Sequence, residues 1–499
     1  QNSLWKCTKK VCAAQCNILG SHLRTFDGYE AFFNPGDCKY AIIEPPLPLP
    51  DNWDPRDNLR VSMEPNLDHV KPTAAKDYVN LPKTITIEAR GLTIVLHSSS
   101  GSLGSEIYVS VNNIDKTDYL PYNSIEGGIK IRKLTSIYIQ VKIGSHLTIV
   151  FDGVRSLYIK ASESLRGKIV GLCGRYDGNT KNDEIPKNSD MPMSALLVAE
   201  SYIEKYCKYH PTALVEPQLG SSDFCRSTLL DSNLFKNCRD SLRLDFNFFV
   251  GMCQREMEAG FMENTQCNAL INCALACRNL GPKFEVDMND AVFKKCLPSC
   301  SNGGSGIVSC ARTCRTNCRD LNALGGGLNN QCEEVCYPGC DCLSPDSYFT
   351  GSGQCVAQEQ CTCYDHFNPD SPEYKRGDVI QRTCTQCKCE GGNFVCGNEE
   401  CKDQVICPKN QIWREAVPAC SRCSDYDRCL DNKTLPGRCG CPDGMVTKAD
   451  GTCVKKNACP CEYLGHEYST GHELKINCEK FICRDRKWNV IPGSGENCE

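Results

Sequence analysis

From about residue 83 to residue 160 apolar and polar positions alternate, and β-branched residues are enriched at the apolar ones. The segments 84–88, 92–96, 107–111, 137–141 and 147–151 each read as a strand with one face inward. Turn-forming residues separate them, as in Val111-Asn112-Asn113-Ile114-Asp115 and Asp152-Gly153. Several short strands at this spacing predict an antiparallel β-sandwich. A βαβ arrangement would need amphipathic stretches of ten or more residues between strands, and none is present.

Cysteine usage divides the chain. Residues 1–224 hold six cysteines (Cys7, Cys12, Cys16, Cys38, Cys173, Cys207), and the other 35 of the 41 fall from Cys225 onward. The first part must rest on a hydrophobic core, the second on covalent staples, because small loop-rich modules bury too little apolar surface. Disulfides at this density imply a secreted, extracellular setting. With 56 basic and 61 acidic residues the net charge is −5. No Lys/Arg-rich run stands out, so no nucleic-acid partner is expected. No apolar run reaches the length of a membrane span. A chain that opens at Gln1 reads as processed or as part of something longer.

Two segments flank the strand-rich region: Thr25-Phe26-Asp27-Gly28-Tyr29, and Gly171-Leu172-Cys173-Gly174 followed by a loop to Asp183. That loop sets Asp177, Asn179, Asn182 and Asp183 around Gly178, a donor set suited to a hard cation. The same composition also suits a polar turn whose Asp and Asn side chains cap their own backbone.

Thr-Phe-Asp-Gly followed some 140 residues later by Gly-Leu-Cys-Gly resembles the von Willebrand factor type D domain. The resemblance implies calcium held by Asp27, Asp177, Asn182 and Asp183, with Asn179 beside them, and disulfides joining Cys16 to Cys173 and Cys38 to Cys207. Three departures from the family pattern stand out. Arg175 occupies a position where the family usually carries Asn. Val170 precedes Gly171-Leu172-Cys173, so the Cys-Gly-Leu-Cys exchange motif is absent. Leu19-Gly20-Ser21-His22 replaces the self-cleaving Gly-Asp-Pro-His of some relatives.

The second part carries an internal repeat. Cys340-x-Cys342, Cys355 and Cys361-x-Cys363 recur as Cys439-x-Cys441, Cys453 and Cys459-x-Cys461. Each copy continues into Glu-Tyr-x-x-Gly, at Glu373 and Glu467. These units resemble trypsin-inhibitor-like modules, each followed by a short E module. Residues 225–296 resemble the partly helical eight-cysteine module that follows D domains. The expected order is an E-module tail (1–12), the D domain (13–207), the eight-cysteine module (208–295), inhibitor-like module 1 (296–363), E module 1 (364–406), inhibitor-like module 2 (407–461) and E module 2 (462–499). The fold class is therefore mainly β, a sandwich followed by small disulfide-rich modules.

Other chemistry has less support. Cys384-x-x-Cys387 and Cys420-x-x-Cys423 have zinc-ligand spacing, but in this setting they read as disulfides. The eight histidines are scattered and no Gly-x-Ser-x-Gly elbow is present, so no enzyme is expected. Protease inhibition is the alternative function, through Tyr337-Pro338-Gly339 or through Pro436-Gly437-Arg438. An oxygenase like the ostracod luciferases, which also contain D domains, is a more distant one. Asn432 heads the N-x-S/T sequon, a glycosylation candidate. The odd cysteine count leaves at least one thiol unpaired within the chain, and Cys273, surplus to the module pattern, is the candidate for an intermolecular disulfide. The function expected is that of a non-enzymatic, calcium-stabilised segment of a mucin-like or adhesive polymer. Its partners would be other such chains and extracellular glycoproteins.

Overall fold

The computed structural model describes the chain from Ala14 to Ile491, apart from residues 47–58, 69–71, 73, 80, 101, 125–127, 206, 215–222, 260–264, 301–303, 315–316, 322–334, 365–372, 383–384, 398–406, 408–409, 419–420, 424–433, 443, 449–450, 464–465, 477–478 and 485–486. The proposed E-module tail and Asn432 lie outside the described residues.

Fifteen strands build the first part: β1 (Ala14–Leu19), β2 (His22–Arg24), β3 (Glu30–Phe32), β4 (Lys39–Ile43), β5 (Leu59–Pro65), β6 (Lys83–Ala89), β7 (Leu92–Ser98), β8 (Ile107–Val111), β9 (Ile114–Asp115), β10 (Tyr122–Ser124), β11 (Ile129–Lys133), β12 (Ile139–Ile143), β13 (Leu147–Phe151), β14 (Ser156–Ala161) and β15 (Ile203–Lys205). They form an eight-stranded sheet, β10-β11-β12-β13-β14-β1-β2-β3, and a seven-stranded sheet, β15-β4-β5-β6-β7-β8-β9. Every pairing is antiparallel. One core lies between the sheets, with Ile85, Ile87, Ile94, Leu96, Val141 and Ile149 all at 0 % exposure. The expected mainly β, antiparallel architecture is what the structure shows. At the β8–β9 hairpin Asn112 and Asn113 both take positive φ (51° and 63°), as a two-residue turn that follows strand twist requires.

The eight-stranded sheet is covered on its second face as well. Along β13 and β14, Ile149, Phe151, Leu157 and Ile159 point into the sandwich core. Their neighbours Val150 and Tyr158 join a second core with Phe235, Met252, Leu270 and Phe293. That second core belongs to the helical module, built around helices Phe246–Ala259 and Cys267–Asn279 and stapled by Cys225–Cys253, Cys238–Cys277 and Cys267–Cys296.

A polar chain runs through this seam. Ser156 Oγ donates to Asn268 Oδ1 (2.9 Å), Asn272 Nδ2 donates to the same oxygen (2.9 Å), and Asn268 Nδ2 donates to a carboxylate oxygen of Glu256 (2.5 Å). The Tyr158 hydroxyl donates to Asn272 Oδ1. Buried polar groups that satisfy one another in this way fix one docking geometry, which apolar packing alone does not. The first cysteine-rich module docks on the same sheet. Thr135 Oγ1 donates to the Pro338 carbonyl (3.0 Å), Ser136 Oγ accepts from Cys340 N (2.9 Å), and Tyr337 packs against Tyr138 and Tyr158.

The sequence repeat is a structural repeat. Cys300–Cys340, Cys318–Cys361, Cys342–Cys355 and Cys363–Cys389 of the first copy correspond to Cys407–Cys439, Cys423–Cys459, Cys441–Cys453 and Cys461–Cys483 of the second. Both copies end in a three-stranded antiparallel sheet, closed at Asn393–Cys396 and at Lys487–Val490.

Candidate functional site

Two loops meet at one end of the sandwich. The first is the tight turn after β2, where Thr25 Oγ1 accepts from Tyr29 N (2.9 Å) and Thr25 O accepts from Gly28 N (3.2 Å). The second follows Cys173, whose carbonyl accepts from Phe26 N (3.0 Å), so the two motifs are stitched together through their main chains. The Cys16–Cys173 disulfide fastens the second loop to β1, and Cys38–Cys207 fastens the residue just before β4 to the segment after β15. Gly171 and Gly174 are required by contact: a Cβ would lie 2.3 Å from the Ile42 carbonyl oxygen at the first and 2.4 Å from Asp183 Oδ1 at the second.

The structure brings Asp27, Asp177, Asn182 and Asp183 to this junction. Asp27 Oδ2 accepts from Asp177 N (2.9 Å), and the Asp27 carbonyl accepts from Thr180 Oγ1 (2.7 Å). Asp177 Oδ2 accepts from Asn182 Nδ2 (2.6 Å), which leaves Asn182 Oδ1 buried and without a hydrogen-bond donor. Asp183 is buried; its carboxylate accepts from Thr25 Oγ1 (2.6 Å) and from Arg175 N (2.8 Å). Burial, together with the neighbouring Asp27 and Asp177 charges, pushes the Asp183 carboxyl up to about 6 despite these bonds. Asn179 stands apart on the exposed side, where its side chain accepts from Lys181 N (3.3 Å).

The chemistry of the donor set fits a hard divalent cation: three carboxylates and one amide oxygen with no donor. The carboxylates do not close on a single point. Among the described residues, the one set of three His, Cys, Asp or Glu ligand atoms within 4.8 Å of one another is Asp37, Cys38 and Cys207, whose two sulfurs are already bonded to each other. Asp27, Asp177 and Asp183 would have to draw closer to share one ion. Arg175 lends the site its main-chain N–H, and its side-chain Nε is buried with no hydrogen-bond partner. Thr25 and Arg166 shape the site as well. Thr25 lies inside the motif already singled out, whereas nothing in the sequence marks Arg166.

Other candidates fall differently. Tyr337-Pro338-Gly339 is a buried stretch of a strand, Tyr337–Cys342, pressed against the sandwich. A Cβ on Gly339 would lie 2.6 Å from the Thr135 side chain. Pro436-Gly437-Arg438 likewise belongs to a strand, Thr434–Gly440, paired with Ile412–Pro418. The first of these is therefore not a projecting loop of the kind a protease cleft receives. Cys387, Cys389 and Cys423 are all in disulfides; Cys384 and Cys420 lie outside the described residues.

Cys273 carries a free thiol at 0 % exposure in the middle of helix Cys267–Asn279, and burial raises its pKa far above that of an ordinary thiol. A bond to a second chain through Cys273 requires this helix to open first. Iodoacetamide is expected to leave Cys273 unmodified in the native chain and to label it after denaturation, as read by peptide mass spectrometry. Labelling of the native chain would show that the helix opens readily.

The sandwich with two stitched motif loops defines a domain class. Residues 16–189 match the family model for the von Willebrand factor type D domain. Similarity extends well past it. Bovine von Willebrand factor is 25 % identical, with 98 % of this chain and 52 % of that protein covered. Chicken SCO-spondin is 24 % identical over 99 % of this chain and 9 % of its own length, and human Mucin-2 is 24 % identical over 97 % and 9 %. The chain thus spans about half, or far less, of the length of these relatives. No described helix is long and apolar enough to cross a membrane.

Proposed function

We propose that the chain is a non-enzymatic structural segment of a secreted, mucin-like or adhesive polymer, in which a calcium-stabilised D domain and its disulfide-stapled modules act as one rigid block. The docking of helical module and first cysteine-rich module on a single sheet carries this reading, because a block with fixed internal geometry can transmit force and present a constant surface to another chain. Matches to von Willebrand factor and mucins over nearly the whole chain support it. Asp27, Asp177, Asn182 and Asp183 would hold calcium, which would cancel the mutual repulsion of the carboxylates and pin the two motif loops to each other. Self-association with like chains, and contact with other extracellular glycoproteins, follow from the same reading, as does secretion.

The test is the size of the native material. Light scattering and non-reducing gels, with calcium and with excess chelator, should show species larger than one chain that fall in size on reduction or chelation. A single-chain mass under every condition would refute assembly.

A further inference from the structure

We infer that Arg166 is a positioning residue for the cation loop, a brace that sets the Asp177 peptide group and so preorganises the loop for its ion. The inference rests on the reading of that loop as a calcium site. Arg166 follows the short 3₁₀ turn Glu163–Leu165, outside the loop itself. Its Nε and Nη2 both donate to the carbonyl of Asp177, at 3.0 and 2.7 Å, a two-pronged grip on one main-chain oxygen. Its Nη1 donates to Glu163 Oε1 at 3.0 Å, and the other oxygen of Glu163 accepts from the Tyr176 hydroxyl at 3.4 Å. Gly167 N donates to Tyr176 O at 2.7 Å, so the segment carrying the brace is itself anchored beside the loop.

The loop is built to receive the guanidinium. Gly178 has φ +90°, and a Cβ there would lie 2.2 Å from Arg166 Nη2. With its carbonyl gripped, Asp177 presents a carboxylate that accepts from Asn179 N (2.9 Å) and from Asn182 Nδ2 (2.6 Å), which carries the order on to Asn182. A planar fork can hold one carbonyl from two sides; an ammonium cannot hold it with the same directionality.

The positive charge of Arg166 works against a bound cation. Two features weaken that opposition: Glu163 pairs with the guanidinium, and the Arg166 side chain is 46 % exposed, so water screens it. The brace is therefore the larger effect, and its loss should weaken binding.

Calcium titration calorimetry and terbium luminescence on the whole chain test this. Arg166→Met should weaken the affinity about tenfold, while the transition measured in chelator stays where it is in the wild type. Arg166→Lys, which keeps the charge and loses the fork, should recover only part of the affinity. Unchanged or tighter binding by Arg166→Met overturns the inference, as does a lowered transition in chelator, which would mark a purely structural role. Absence of binding by the wild type would instead refute the calcium reading itself.

Discussion

Replacing Cys16 and Cys173 together by alanine is expected to destabilise the sandwich by about 5 kcal/mol, because a cross-link over a loop of this length removes that much chain entropy from the unfolded state. The two cysteines are 157 residues apart and buried, at 0 % and 1 % exposure. The bond also anchors Cys173, whose carbonyl stitches the second motif loop to the first. A loss of about 5 kcal/mol matches the whole stability of many domains. The contrast is the short Cys342–Cys355 bond, separated by 13 residues, whose removal should cost about 3 kcal/mol. Denaturant unfolding of the two double variants measures both. Equal small losses would mean that the sandwich core carries the fold without its covalent tie.

The second large effect is on pH dependence, at the seam between sandwich and helical module. Glu256 is fully buried, and burial pushes its carboxyl up to about 7 although Arg155 pulls the other way. A carboxyl whose folded pKa exceeds its ordinary value of 4.5 contributes stability that is complete below the ordinary pKa and lost as pH rises through the folded one. Between pH 5.5 and pH 8 the wild type should therefore lose roughly 2 kcal/mol that Glu256→Gln does not lose. Asp152 adds a like charge nearby. His22, buried against Phe32 and Phe248 and held down to about 3 by burial and by Arg24 and Arg255, acts in the opposite sense. Its stability is present above pH 6.5 and lost as pH falls below that value. Comparing the variant with the wild type cancels the His22 contribution. Hydrogen exchange in helix Cys267–Asn279 reads the opening free energy at the two pH values. Parallel pH profiles for the two chains would show that Glu256 stays ionised in the fold.

How much of this is legible in the sequence depends on which faces are covered. Strands with one solvated face, such as β6, β7 and β8, show clean alternation and are read directly. Strands β4 and β14 each contain four consecutive buried residues, because both faces are covered, so period two disappears. The strand expected over 137–141 begins at Ile139 instead. Thr135 Oγ1 accepts from the N–H groups of Ile137 and Tyr138, and this turn sends both side chains into the second core. Residues 268–277, a run rich in Ala and Leu, fall within helix Cys267–Asn279. Helix Phe246–Ala259 is absent from the sequence reading, although Phe246, Phe249, Val250 and Cys253 stand at the i, i+3, i+4, i+7 spacing that marks a helix face.

The site divides in the same way. Asp27 and the loop from Asp177 to Asp183 are visible because their motifs are local in sequence. The grip of Arg166 on Asp177 is not, since a main-chain carbonyl leaves no trace in side-chain identity. The seam between modules is hidden for a similar reason: Ser156, Asn268 and Asn272 are ordinary polar residues until the fold buries them together.

The most direct test of calcium stabilisation is thermal melting of the whole chain in calcium and in excess chelator. An ion bound only by the folded loop pair stabilises it by about 2.7 kcal/mol when free calcium exceeds Kd a hundredfold. In a domain of this size that corresponds to a shift of roughly 5–10 °C. Calcium stabilisation of the loop pair should raise the sandwich transition by that amount, a gain lost in Asp27→Asn and Asp177→Asn. A transition that stays in place when calcium is removed would contradict it.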